Sequence, residues 1–81
     1  MRVTLYYRDS DEAQMIEQRL IKKGVHCNRR PKWPPGSGEY VSFTWNHDCA
    51  VEKLDGRYLV VLRRYGEPFL QFEADGVDRK P

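Results

Sequence analysis

Within its first two dozen residues the chain changes hydrophobic period. Residues 2–7, RVTLYY, alternate, with Val3, Leu5 and Tyr7 on one side and Arg2, Thr4 and Tyr6 on the other. Beyond residue 12 the apolar positions fall at helical spacing: Ala13, Ile16 and Leu20 form a stripe that Met15 and Ile21 widen. A period of two suits a strand with one buried face, and a period near 3.6 suits an amphipathic helix. The chain must therefore lay a strand and a helix against one core. The junction supports this reading. Asp9 or Ser10 can cap the helix, Asp9 and Glu12 have capping-box spacing, and acids crowd the first turn. Lys22 and Lys23 occupy the last turn, and Gly24 is a natural residue for the helix end.

Residues 25–30, VHCNRR, read as a second strand, and so soon after a helix they predict a β-α-β opening. Pro31–Gly38 is a loop, with three prolines and two glycines in eight residues. Glu39–Trp45 alternates as a strand, and Asn46–Ala50 reads as a turn or a short helical piece. Asp55-Gly56 signals a hairpin between VEKL and RYLVVL. The apolar run in residues 57–63 predicts a central strand covered on both faces. Gly66-Glu67-Pro68 turns the chain into a last strand, Phe69–Phe72, and the polar residues 75–81 read as a frayed tail. With 81 residues, this is one domain with a thin core.

The opening MRVTLYYR, the helix after it and the glycine at its end are similar to the glutaredoxin-like electron donors of ribonucleotide reductase. The strand at 57–62, the Gly66-Glu67 turn and the strand at 69–72 look like the closing hairpin of a thioredoxin-type sheet. The resemblance covers a third to a half of the chain. It implies an α/β fold with a small mixed sheet, one main helix, a β-α-β opening, a closing hairpin and an extra strand in the middle. The family's Cys-x-x-Cys motif falls on Asp11 and Gln14 in this sequence, and no proline stands near Arg57 where the family places a cis-proline. Residues 31–54 match nothing in it. Dithiol exchange needs a low-pKa thiolate at the helix tip and a resolving thiol one turn on, so the resemblance implies a redox-inactive relative.

Composition narrows the function classes. The net charge of +2 is unevenly spread: residues 1–33 hold eight Lys/Arg against four Asp/Glu, and residues 34–81 hold six against eight. That asymmetry permits an anionic partner. No apolar run reaches the roughly 18 residues of a membrane span, and acids by residue 9 do not suit a signal peptide. The expectation is a cytoplasmic protein with reduced Cys27 and Cys49. Those cysteines could form a residual redox pair, or serve as small buried apolar groups. His26-Cys27 and His47-Asp48-Cys49 offer zinc-ligand types, but neighbours on a strand point to opposite faces, so three ligands at best can converge. No catalytic constellation, phosphate-binding glycine loop, metal site or cofactor is expected.

The remaining signal is a basic-aromatic segment. Arg29, Arg30, Lys32 and Trp33 lead into the proline-rich loop, and Tyr40 and Trp45 lie on the next strand. Arg and Trp anchor protein interfaces. The same residues can hold a phosphate backbone and stack on bases. A plain solvated loop, with Trp33 folded onto the core, is the third reading. The sequence thus points to a non-enzymatic module that binds a protein partner, with nucleic acid as the alternative and a thiol-redox role second. Size and the missing motif fit a phage accessory protein directed at a host protein.

Overall fold

The computed structural model describes residues 1–81. The alternating segment forms β1 (Arg2–Tyr7), followed by α1 (Ser10–Lys22), β2 (Cys27–Pro31) and β3 (Glu39–Thr44). Then come β4 (Asp48–Lys53), β5 (Tyr58–Arg64), β6 (Glu67–Ala74) and β7 (Gly76–Lys80). The strands build a four-stranded sheet in the order β2-β3-β1-β7 and a three-stranded sheet in the order β4-β5-β6. Every pairing is antiparallel.

The helix begins and ends as its sequence dictates. Asp9 is the N-cap, its Oδ1 accepting from the Asp11 N–H at 2.9 Å. At the other end Gly24 takes φ +79°, and the N–H groups of Gly24 and Val25 donate to the carbonyls of Ile21 and Leu20. That pair of bonds is a Schellman ending, which a residue with a Cβ would enter only at a cost. Ala13, Ile16 and Leu20 are buried as the period requires, whereas Met15 and Ile21 face solvent.

The β-α-β opening and the thioredoxin-like α/β fold are overturned. After α1 the chain returns in the same direction as β1 but not beside it, because β3 lies between them. Instead the proline-rich loop folds it back on itself, and β2 pairs antiparallel with β3, from Cys27 opposite Phe43 to Pro31 opposite Glu39. The segment expected to be an extra strand is β3, which occupies the place beside β1 that a crossover strand would need. Three further expectations change. Residues 48–50, expected within a turn or short helical piece at Asn46–Ala50, instead begin strand β4. Residues 76–80 are a strand paired with β1, not a frayed tail. β5 is central in its sheet, but Val60 and Leu62 are buried while Leu59 and Val61 are only half-buried, so one face alone is fully covered.

Both sheets and the helix share one core. Val3, Leu5 and Tyr7 point inward from β1, Val41 and Phe43 from β3, Val60 and Leu62 from β5, and Leu70, Phe72 and Ala74 from β6. Truncating one of the larger of these, such as Leu5, Leu62 or Phe72, to alanine costs roughly 2–5 kcal/mol, a large part of the about 5–15 kcal/mol that holds a domain folded. The chain passes between the sheets at two corners, Trp45–His47 and Asp75. Trp45 is buried at the first, its indole N–H donating to the Asp48 carbonyl at 2.8 Å. At the second, the Asp75 N–H donates to the Tyr6 carbonyl, and the Asp75 carboxylate accepts from the Arg8 N–H at 2.9 Å. The Tyr7 hydroxyl joins the layers by donating to the Glu73 carbonyl at 2.8 Å.

Candidate functional site

Because side chains alternate along a strand, burying Val3, Leu5 and Tyr7 turns Arg2, Thr4 and Tyr6 outward. Neither the helix nor the second sheet covers that side. The antiparallel register aligns three outward rows: Arg30, Tyr40, Tyr6 and Gly76; Asn28, Ser42, Thr4 and Asp78; and Thr44, Arg2 and Lys80. Lys32 and Trp33 close the first row from the loop after β2. The result is an open groove of about 440 Å³ over β3, β1 and β7.

Aromatic rings and cations interleave along it. The Tyr6 and Tyr40 rings lie side by side, their centroids 6.2 Å apart and their planes 53° apart. Lys32 Nζ sits 5.2 Å from the Tyr6 centroid, within cation–π range. Arg2 lies across the middle row and donates to Ser42 Oγ at 3.1 Å. Gly76 leaves the flank of Tyr6 uncovered; a Cβ there would touch the ring at 3.5 Å. Arg2, Lys32 and Lys80 line the groove and Arg30 shares its face beside Tyr40, four positive charges against one carboxylate, Asp78, whose oxygen is 3.7 Å from Lys80 Nζ.

The loop that carries Trp33 is held in place. The Lys32 N–H donates to the Gly38 carbonyl at 2.9 Å, and the Ser37 N–H to the Pro34 carbonyl at 3.1 Å. Gly38 (φ +96°) packs so closely on the end of β1 that a Cβ would overlap the Tyr7 carbonyl oxygen. Trp33, 82% exposed, is thus presented from a braced loop rather than folded onto the core. A second hollow of about 350 Å³, between Arg8, Lys32 and Asp75, adjoins the groove and shares Tyr6 with it.

Of the six residues singled out by the basic-aromatic segment, Arg30, Lys32, Trp33 and Tyr40 share this face. Arg29 and Trp45 do not. Arg29 lies on the other side of β2, where Nε contacts Glu17 Oε1 at 3.0 Å and a terminal nitrogen contacts Glu39 Oε1 at 2.6 Å. The hydrogen bonds it donates to Glu39 and Glu17 raise its pKa, so it is a committed structural cation. Trp45 belongs to the core, because the sheet-switching corner needs a large apolar side chain there. The reading of the loop missed Arg2, Tyr6, Asp78 and Lys80. The alternation of RVTLYY already put Arg2 and Tyr6 on one side. Asp78 and Lys80 were hidden because GVDRK is too short and polar to read as a strand.

The cysteines are both free, Cys27 half-buried under the helix and Cys49 buried on β4. Burial pushes both thiols above their ordinary pKa, Cys27 also because of the nearby Glu17 charge. Raised values mean less thiolate and less reactivity at neutral pH. No three His, Cys, Asp or Glu side chains come together as a metal-holding group, and no helix is long and apolar enough to cross a membrane. Comparison with protein-family models, with curated proteins and with solved structures finds no match for this chain.

Proposed function

We propose that this protein is a non-enzymatic binding module that holds single-stranded nucleic acid across the outward face of its four-stranded sheet. The observation that carries this reading is the placing of Tyr6, Tyr40 and Trp33 among Arg2, Arg30, Lys32 and Lys80 on one uncovered surface. Unpaired bases present flat faces that stack on aromatic rings, and their phosphates need cations beside those rings. A duplex hides its bases and could use only the charge. The acids that would oppose a polyanion are engaged elsewhere: Glu17 and Glu39 pair with Arg29, and Glu12 and Asp75 with Arg57. The low net charge understates the face, because its positive charge is concentrated there.

A protein partner is the second reading, favoured by the protruding Trp33 beside Arg30, which is how interface anchors are composed. Salt separates the two. Fluorescence anisotropy with labelled single strands at about 50 mM salt should show binding that weakens as salt rises. The slope of log K on log salt should be about −3 if all four cations meet phosphate. Replacing Tyr6 and Tyr40 by alanine should cost roughly 1–3 kcal/mol per stacked base. Absence of any anisotropy change at low salt would falsify the nucleic-acid reading.

A further inference from the structure

The β5–β6 hairpin turns through two residues, Tyr65 and Gly66, with φ of +55° and +78°. Positive φ at both central positions is the pattern of a type I′ turn, where Asn-Gly is the favoured pair. A bulky aromatic residue in the left-handed region is strained and uncommon. Tyr65 gains little from the fold in return: it is 86% exposed, and besides Arg64 its ring meets His47 at an edge, with centroids 5.3 Å apart. An exposed side chain held at a backbone position that disfavours it points to a use for the side chain itself.

Its surroundings say what that use is. Arg64 lies 5.9 Å from the Tyr65 centroid and 4.6 Å from that of Phe69, and Lys23 lies 5.6 Å from Phe69. Neither cation is ion-paired, although Glu67 stands opposite Arg64 in the hairpin register. Beside them is a recess of about 360 Å³ lined by Lys23, His26, His47 and Arg64, with no carboxylate in its wall. The same wall includes Thr44, which is the outward residue aligned with Arg2 in the third row of the sheet face. The recess therefore begins where the sheet groove ends.

We infer that the hairpin tip is a second contact for the same single strand, with Tyr65 stacking on a base and Lys23 and Arg64 meeting the phosphates beside it. This rests on the sheet-face reading and makes the binding length-dependent. Short strands are served by the sheet alone, and longer ones reach the tip.

The test compares wild type, Tyr65→Asn and the Tyr6→Ala/Tyr40→Ala double variant against labelled single strands of about 5 and about 12 nucleotides, within known site sizes. Asparagine suits the turn, so Tyr65→Asn should melt at the same temperature as wild type or higher. It should bind the long strand roughly tenfold more weakly and the short one unchanged, while the double variant loses both. Equal affinity of Tyr65→Asn and wild type for the long strand overturns the tip contact and leaves the sheet reading standing. Wild type binding neither strand overturns both. Loss of long-strand binding in Tyr65→Asn alone, with the double variant unaffected, overturns the sheet-face reading and makes the tip a primary contact, not a second one.

Discussion

Arg29 and Arg30 are adjacent, chemically identical and separated only by the pleat of β2. Arg29 faces the helix side and bridges Glu17 and Glu39; Arg30 faces the groove, opposite Tyr40. Their alanine variants should therefore fail in opposite ways. Arg29→Ala leaves two carboxylates without their cation and should lower the melting temperature while binding persists. Arg30→Ala should leave the folding stability within the scatter of ordinary surface changes, about ±0.5 kcal/mol, and weaken single-strand binding with a shallower salt slope. Thermal denaturation and anisotropy on the same two proteins check this, and matching losses in both variants would contradict the assignment of faces. The sequence alone offered no means of telling the two apart, since the direction of each depends on which neighbour sets the register.

At the scale of elements, local chemistry was legible and partnership was not. The Asp9 cap, the Gly24 ending, the alternation of β1 and β3 and the Asp55-Gly56 hairpin all follow from short-range rules. Which strand sits beside β1 follows from none of them. The loop through Pro34 and Pro35 reverses the chain, so β3 takes that place and β2 moves to the edge. β7 was missed for a related reason: Val77 is its one aliphatic side chain, half-buried against the core, and pairing with β1 makes the strand. A chain ending at Asp75 is a direct check. It leaves one edge of β1 open and removes Asp78 and Lys80 from the groove. Loss of the cooperative thermal transition, followed by circular dichroism, is the expected result. An unaltered melt would mean that β7 contributes nothing to the fold.

For the whole molecule, the question is what keeps the two sheets in register with each other. Tyr7 is one tie, reaching from β1 on the first sheet to the Glu73 carbonyl on the second. Burial, helped by the charges of Glu12 and Asp75, raises its pKa well above the ordinary 10.0. The folded protein therefore keeps this proton at a pH where the unfolded chain has released it. That stabilisation is complete below pH 10 and declines as alkali favours the unfolded tyrosinate. Urea midpoints measured from about pH 9 to about 11 should fall more steeply for wild type than for Tyr7→Phe. Parallel declines would show that Tyr7 is not the titrating tie.

The place of β1 has a consequence for how the chain acquires its shape. β1 is made before the other six strands, yet it lies between β3 and β7, and its first residue, Arg2, is paired with Lys80. A ribosome delivering this chain from its N-terminus cannot supply that partner until all seven strands have been made. Until then the four-stranded sheet has an unfilled edge. Closing a loop of nearly the whole chain before the contact is rewarded also makes folding slow among domains of this size. The groove is thus complete only when β7 joins β1.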